Sequence, residues 1–167
     1  MSFRFRPLIV AVLLAAVAPA FAKDAAEVRA LFDARDPQAP ALIAALLKAN
    51  PANLDAQVLQ IRLLLREGKA EDAVDMAEEL VDAQPNSALA HYWLGNSFGN
   101  RIGQVGMFSK LLMAPKLRDA YETAIKLDPE LTDARANLVQ YYVHPMAIGG
   151  GIDKAKAEQV EIAKRDV

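Results

Sequence analysis

Three prolines constrain this chain more than any other feature. Pro51, Pro85 and Pro129 each follow a polar residue (Asn50, Gln84, Asp128) that closes an apolar, periodic stretch. Proline cannot continue a helix, and it biases the residue before it away from helical geometry. Pro51 and Pro85 are 34 residues apart, and Pro85 and Pro129 are 44 apart, which is the same period with ten residues inserted. Between Pro51 and Pro85 the pattern predicts one helix from Asn53 to Arg66, a turn at Gly68, and a second helix from Ala70 to Asp82. In the second helix Ala70, Ala73, Val74, Ala77, Leu80 and Val81 fall on one face, with Glu71, Asp72, Asp75, Glu78 and Glu79 opposite. No stretch alternates with the period of a strand, so the fold class is all-α. A hairpin this short cannot bury its apolar face alone, whereas about three stacked hairpins can.

The first 22 residues have a different character. Arg4 and Arg6 precede an unbroken apolar run from Leu8 to Ala18, then Pro19 and Ala20-Phe21-Ala22. That order is the pattern of a secretory signal peptide, with cleavage expected after Ala22. A membrane anchor is the competing reading, but Leu8 to Ala22 spans 15 residues, short of the roughly 20 that cross a bilayer. Cleavage leaves 145 residues with net charge −4 and lowers the hydrophobic fraction from 53% to about 49%, an ordinary value for a globular protein. The processed chain is expected to be periplasmic or secreted and soluble, with no integral membrane anchor, and the alanine-rich leader is bacterial in style. The absence of cysteine excludes disulfides, thiolate metal sites and a cysteine nucleophile. A near-neutral charge gives no support for nucleic-acid binding.

Specific residues sharpen the repeat. In the Pro85 unit His91, Leu94, Gly95 and Phe98 lie on the first helix, and Tyr121, Ala124 and Pro129 close the second. These spacings, and the run from Ala120 to Pro129, resemble the tetratricopeptide repeat family, in which they take the Trp, Leu, Gly, Tyr, Phe, Ala and Pro positions. The Pro51 unit keeps Gly68, Ala73 and Pro85 but has Gln57 and Ile61 where Trp and Gly are expected. The Pro129 unit keeps Leu138 and Tyr142, with Val139 in place of Gly. A half-unit with a helix from Ala41 to Ala49 precedes Pro51. The resemblance implies a right-handed superhelical array of about three and a half hairpins. It divides the chain into the leader (1–22), an amino-terminal half-repeat with capping helices (23–50), a unit at 51–84, a unit with the insertion at 85–128, and a degenerate last unit at 129–167. The chain is also similar to secreted bacterial repeat proteins that carry a proline- and glycine-rich turn late in the array.

In this family the first helix of each unit lines a concave groove. The resemblance therefore places Val58, Leu59, Arg62 and Arg66 of one unit there. From the next come Tyr92, Trp93, Asn96 and Asn100, and from the last Asn137, Gln140 and His144. The amides suit an extended peptide backbone, the arginines suit a carboxylate, and the aromatic pair is of the type that dominates interfaces. Tyr92 and Trp93 can equally be packed between repeats. Some family members clamp chaperone carboxyl termini with Lys and Asn at set positions. Here Val58, Arg62, Trp93 and Asp133 occupy four of those positions and only Asn137 fits, so that role is excluded.

Two segments depart from the period. The insertion between Gly99 and Pro115 contains Met107, Phe108, Leu111, Leu112 and Met113. Val105, Phe108 and Leu112 are read as one helical face. They form either an apolar patch for a partner or lipid surface, or a lengthened hairpin packed on its own repeat. Pro115 is expected in the first turn of the following helix. The second departure is His144-Pro145 followed by Gly149-Gly150-Gly151, either an anion wrap at a helix start or a long turn capped by Asp153. Only two histidines exist, His91 takes a repeat-packing position, and no hydrolase or metalloenzyme motif is present. The expectation is a non-enzyme without cofactor or metal, an envelope scaffold that binds a protein or peptide in its groove. The alternative is a carrier or accessory of envelope transport that binds a small or lipidic ligand in a closed apolar cavity under Phe108 and Leu112.

Overall fold

The computed structural model describes residues 23–144 and 149–165. The leader, Pro145 to Ile148 and the last two residues lie outside the described residues. Among the described residues there are eight helices and no strand: α1 (Ala25–Asp33), α2 (Ala39–Ala49), α3 (Leu54–Arg66), α4 (Ala70–Ala83), α5 (Ala88–Ile102), α6 (Met107–Leu127), α7 (Thr132–Val143) and α8 (Ile152–Ala163). Consecutive helices pair into four hairpins.

Local chemistry sets the starts and stops. Asn53 and Ser87, each two residues after a repeat-opening proline, cap α3 and α5 by accepting the backbone N–H groups of Ala56 (3.0 Å) and Ala90 (3.2 Å). Gly68 makes the tight turn between α3 and α4 at φ +77°, a conformation that favours glycine. Six residues after each opening proline a side chain donates back to that proline's carbonyl. Gln57 Nε2 reaches Pro51 O at 2.9 Å, His91 Nε2 reaches Pro85 O at 2.9 Å, and Arg135 Nε reaches Pro129 O at 3.4 Å. The position where the family resemblance puts Trp is thus a hydrogen-bonded strap from helix to preceding turn.

The core runs through the array in three overlapping clusters. Val28, Phe32, Ile43, Leu59 and Leu63 join the first three helices. Val58, Ile61, Ala73, Ala77, Leu80 and Ala90 join α3, α4 and α5. Phe98, Leu117, Tyr121, Ala124, Leu138, Tyr142 and Ala155 carry the core to the last helix. Val58 and Leu59 are therefore core residues and not groove residues, because the apolar face of α3 is shared between two neighbouring hairpins. The segment ahead of Pro51 carries two helices: α2 covers the helix expected from Ala41 to Ala49, and α1 precedes it.

The insertion lengthens one hairpin. α5 runs to Ile102 and α6 begins at Met107 and extends for 21 residues, against 14 in α4. Pro115 lies inside α6, not in its first turn, so it removes one hydrogen bond from the helix interior. Val105 precedes α6 and does not share its face with Phe108 and Leu112. At the last turn Gly151, at φ +147°, is the cap residue of α8, and Asp153 falls in the first helical turn instead of capping it. Gly151 N–H donates to Tyr142 O (3.1 Å), and Lys154 Nζ donates to Gly149 O (2.7 Å). A nearly buried ion pair, Arg135 Nη1 to Glu158 Oε2 at 2.7 Å, ties α7 to α8.

α5 and α6 approach closely at Gly95, where an added Cβ would come within 2.5 Å of the Tyr121 ring. Gly99, one turn later, has only ordinary contact at 3.5 Å from Leu117. Gly95→Ala is therefore expected to destabilise the fold by about 1–3 kcal/mol through overpacking. Gly99→Ala is expected to be neutral or stabilising by up to about 1 kcal/mol, since alanine favours helix. Denaturant melts of both variants check the opposite signs.

Two of the four tyrosines are core groups whose hydroxyls resist ionisation. Burial pushes the Tyr121 hydroxyl up, with Tyr92 adding to the shift, and burial followed by the hydrogen bond to Glu122 pushes Tyr142 up. The unfolded chain ionises these groups near pH 10, before the folded chain does. Their contribution is fully present below about pH 10 and declines above it. Ultraviolet titration should show two late-ionising tyrosines, with stability falling as pH rises past that point.

Candidate functional site

The polar residues of α5 and α7 meet across α6. Asn96 and Asn100 are one turn apart on α5, Asn137 and Gln140 are on α7, and His144 follows its end. Together with Lys110, Leu111, Ala114, Leu117 and Tyr121 of α6 they line a cavity of about 380 Å³. Ile102 and Tyr141 complete its apolar part. Five of the eleven groove residues expected from sequence are thereby brought to one place, and two more, Val58 and Leu59, lie in the core.

A small polar network holds one wall. Tyr121 Oη donates to Asn96 Oδ1 at 3.1 Å, and Asn137 Nδ2 donates to the same oxygen at 3.2 Å and lies 3.2 Å from Tyr121 Oη. The other amide nitrogens turn back on their own helix, Asn96 Nδ2 to Tyr92 O (3.1 Å) and Asn100 Nδ2 to Asn96 O (2.9 Å). These bonds fix the rotamers and leave amide oxygens, together with Gln140, for a ligand. Buried as it is, the Tyr121 hydroxyl stays neutral and acts as a donor. Among the described residues that line the cavity there is no Asp, Glu, Ser, Thr or Cys, and Lys110 is the one lysine or arginine. Such a wall offers hydrogen bonds and apolar contact but no carboxylate or serine-type nucleophile. Among the described residues no cluster of His, Asp and Glu is suited to hold a metal ion.

The other four expected residues form the amino-terminal part of the same line, and there the chain is occupied with itself. Arg62 pairs with Asp33 of α1, and its guanidinium lies 4.8 Å from the Phe32 ring centroid and 5.5 Å from that of Trp93. Arg66 sits 3.5 Å over Phe32 and donates to the Phe32 carbonyl at 2.9 Å. Trp93 meets Tyr92 edge-on at 5.3 Å, and Tyr92 in turn lies 6.1 Å from Tyr121. The carboxylate that the arginines suit is thus already present for Arg62, supplied by α1. Sequence reasoning missed Phe32 and Asp33 because a nine-residue helix with two buried positions gives little periodic signal. It also misses Lys110 and Leu111 as cavity residues, because Pro115 reads as the start of the helix and α6 begins earlier, at Met107. Phe108 and Leu112 project into solvent and do not line this cavity, although Lys110 and Leu111 between them do.

The comparisons with known proteins agree with this architecture. The sequence profile of the tetratricopeptide repeat matches residues 25–88 and again 58–98. No curated protein matches the sequence. Among solved structures, "MamA 41-end from Desulfovibrio magneticus RS-1" superposes with a TM-score of 0.62 at 21% identity, covering 85% of this chain and 73% of that one. A second, "MamA RS-1 ArsTM double mutant", gives 0.61 at 21% identity, covering 85% and 72%. The repeat is thus matched over residues 25–98, and over its described residues the chain folds as an all-α array of helical hairpins similar to those structures.

Proposed function

We propose that this protein is a non-enzymatic interaction module that holds an extended segment of a partner protein, and that it works in the bacterial envelope after export. The observation that carries the first part is the cavity between α5, α6 and α7, where fixed amides stand beside an apolar floor. An extended backbone presents alternating donors and acceptors, which Asn and Gln side chains can meet from one wall. The floor takes one or two apolar side chains, and the volume lies at the small end of ligand pockets. Envelope placement rests on the leader sequence alone. The carrier reading, with a small or lipidic ligand under the insertion, remains the alternative; Phe108 and Leu112 themselves do not line the cavity.

Photo-crosslinking in cells tests the proposal. A benzophenone amino acid at Gln140 is expected to give one dominant adduct, while the same group at Glu79, on the exposed face of α4, gives none. Asn100→Ala should lower the adduct yield by about fivefold, the value of one hydrogen bond of roughly 1 kcal/mol, without changing the melt. Equal labelling at both positions would sink the groove assignment.

A further inference from the structure

We propose that the amino-terminal end of α6 is a docking element for an anionic bilayer surface, adjoining the peptide groove, with which it shares Lys110 and Leu111. The first two turns of α6 expose Met107 (57%), Phe108 (75%), Leu111 (41%) and Leu112 (60%). These positions are i, i+1, i+4 and i+5, so they form one face of the helix. The exposed face of α4 differs, with Glu71, Asp72, Asp75, Glu78 and Glu79. The patch belongs to the part of α6 that the insertion adds, about 10 Å of extra helix relative to α4.

Charge selects the occupant. From Ala83 to Arg118 the chain contains no Asp or Glu, although it has 21 in all, and it carries Arg101, Lys110, Lys116 and Arg118. Two of these cations are matched from α4, Arg101 by Glu71 at 2.9 Å and Lys116 by Glu78 at 3.6 Å, and Arg118 pairs with Asp119. Lys110, next to the patch, makes no ion pair among the described residues. The first turn of α6 also lacks the acidic residue that would offset the positive end of the helix dipole, and its cap is Gly106, which has no side chain. An apolar face with an aromatic, flanked by lysine and the positive end of a helix, is the pattern of a helix that seats in a lipid interface. No helix of the described residues is long and apolar enough to cross a membrane, so the contact proposed is peripheral.

The absence of cysteine makes the test clean, because a single introduced thiol can be labelled alone. An environment-sensitive fluorophore at Met107→Cys should shift to the blue on vesicles of equal phosphatidylglycerol and phosphatidylcholine, and one at Glu79→Cys should not. Adding Phe108→Ser and Leu112→Ser should weaken vesicle binding by at least about tenfold, since each removes a large apolar group from the interface. Both side chains are exposed, so the melting temperature should stay unchanged. Lys110→Glu should weaken binding to the anionic vesicles. No shift at position 107, an equal shift at position 79, or undiminished binding by the Phe108/Leu112 variant would each overturn the proposal. So would sedimentation showing a dimer that the same variant disperses, with no response to vesicles; the patch would then be a self-association surface.

Discussion

The contact between Gly95 and the Tyr121 ring decides how the largest hairpin closes. A Cβ at position 95 would sit 2.5 Å from the ring, so α5 and α6 reach their spacing only because that position has no side chain. The ring is buried and cannot move aside. Once seated, it carries its hydroxyl to Asn96 and Asn137, and so fixes both walls of the cavity from the helix between them. A core contact and the polar network of the site are two ends of one side chain. Loss of that packing would loosen the amide wall before it unfolded the array.

Much of this was legible in the sequence, and the reasons are physical. Prolines and glycines act within one or two residues, so the ends of α3 and α4 follow from Pro51, Gly68 and Pro85 to within one position. The repeat period then brings Asn96, Asn100, Asn137, Gln140 and His144 to one side of the array, and they do share a cavity. The misses depend on long-range packing. Val58 and Leu59 look available when a helix is considered alone; Leu59 becomes core once the first hairpin stacks on α3, and Val58 once α4 and α5 do. Arg62 and Arg66 look free until Phe32 and Asp33 arrive from α1. Pro115 reads as a helix start by local preference, yet the tertiary contacts of α6 hold it inside a 21-residue helix.

The straps from Gln57, His91 and Arg135 show how a repeat can change a residue type and keep its purpose. A large aromatic at this position would hold the start of each hairpin by area alone. Here a donor reaches the carbonyl of the opening proline, and that carbonyl is fixed because proline restricts its own backbone. The three donors differ in chemistry and share one acceptor geometry, so the period is preserved in hydrogen bonding where it is lost in sequence. The acceptor makes the His91 assignment definite: a carbonyl only accepts, so Nε2 carries the proton.

The ten inserted residues explain why the inner line is closed at one end and open at the other. At the amino-terminal end, hairpins of nearly equal length let Phe32, Arg62, Arg66 and Trp93 stack on one another. At the carboxyl-terminal end α6 is too long to be covered by its neighbours. Its inner side contributes Lys110, Leu111 and Ala114 to the cavity, and its outer side leaves Phe108 and Leu112 in solvent. One lengthened helix thus gives the array both a recess between hairpins and an apolar surface outside them. A regular repeat without the insertion would lack the cavity wall and the patch together.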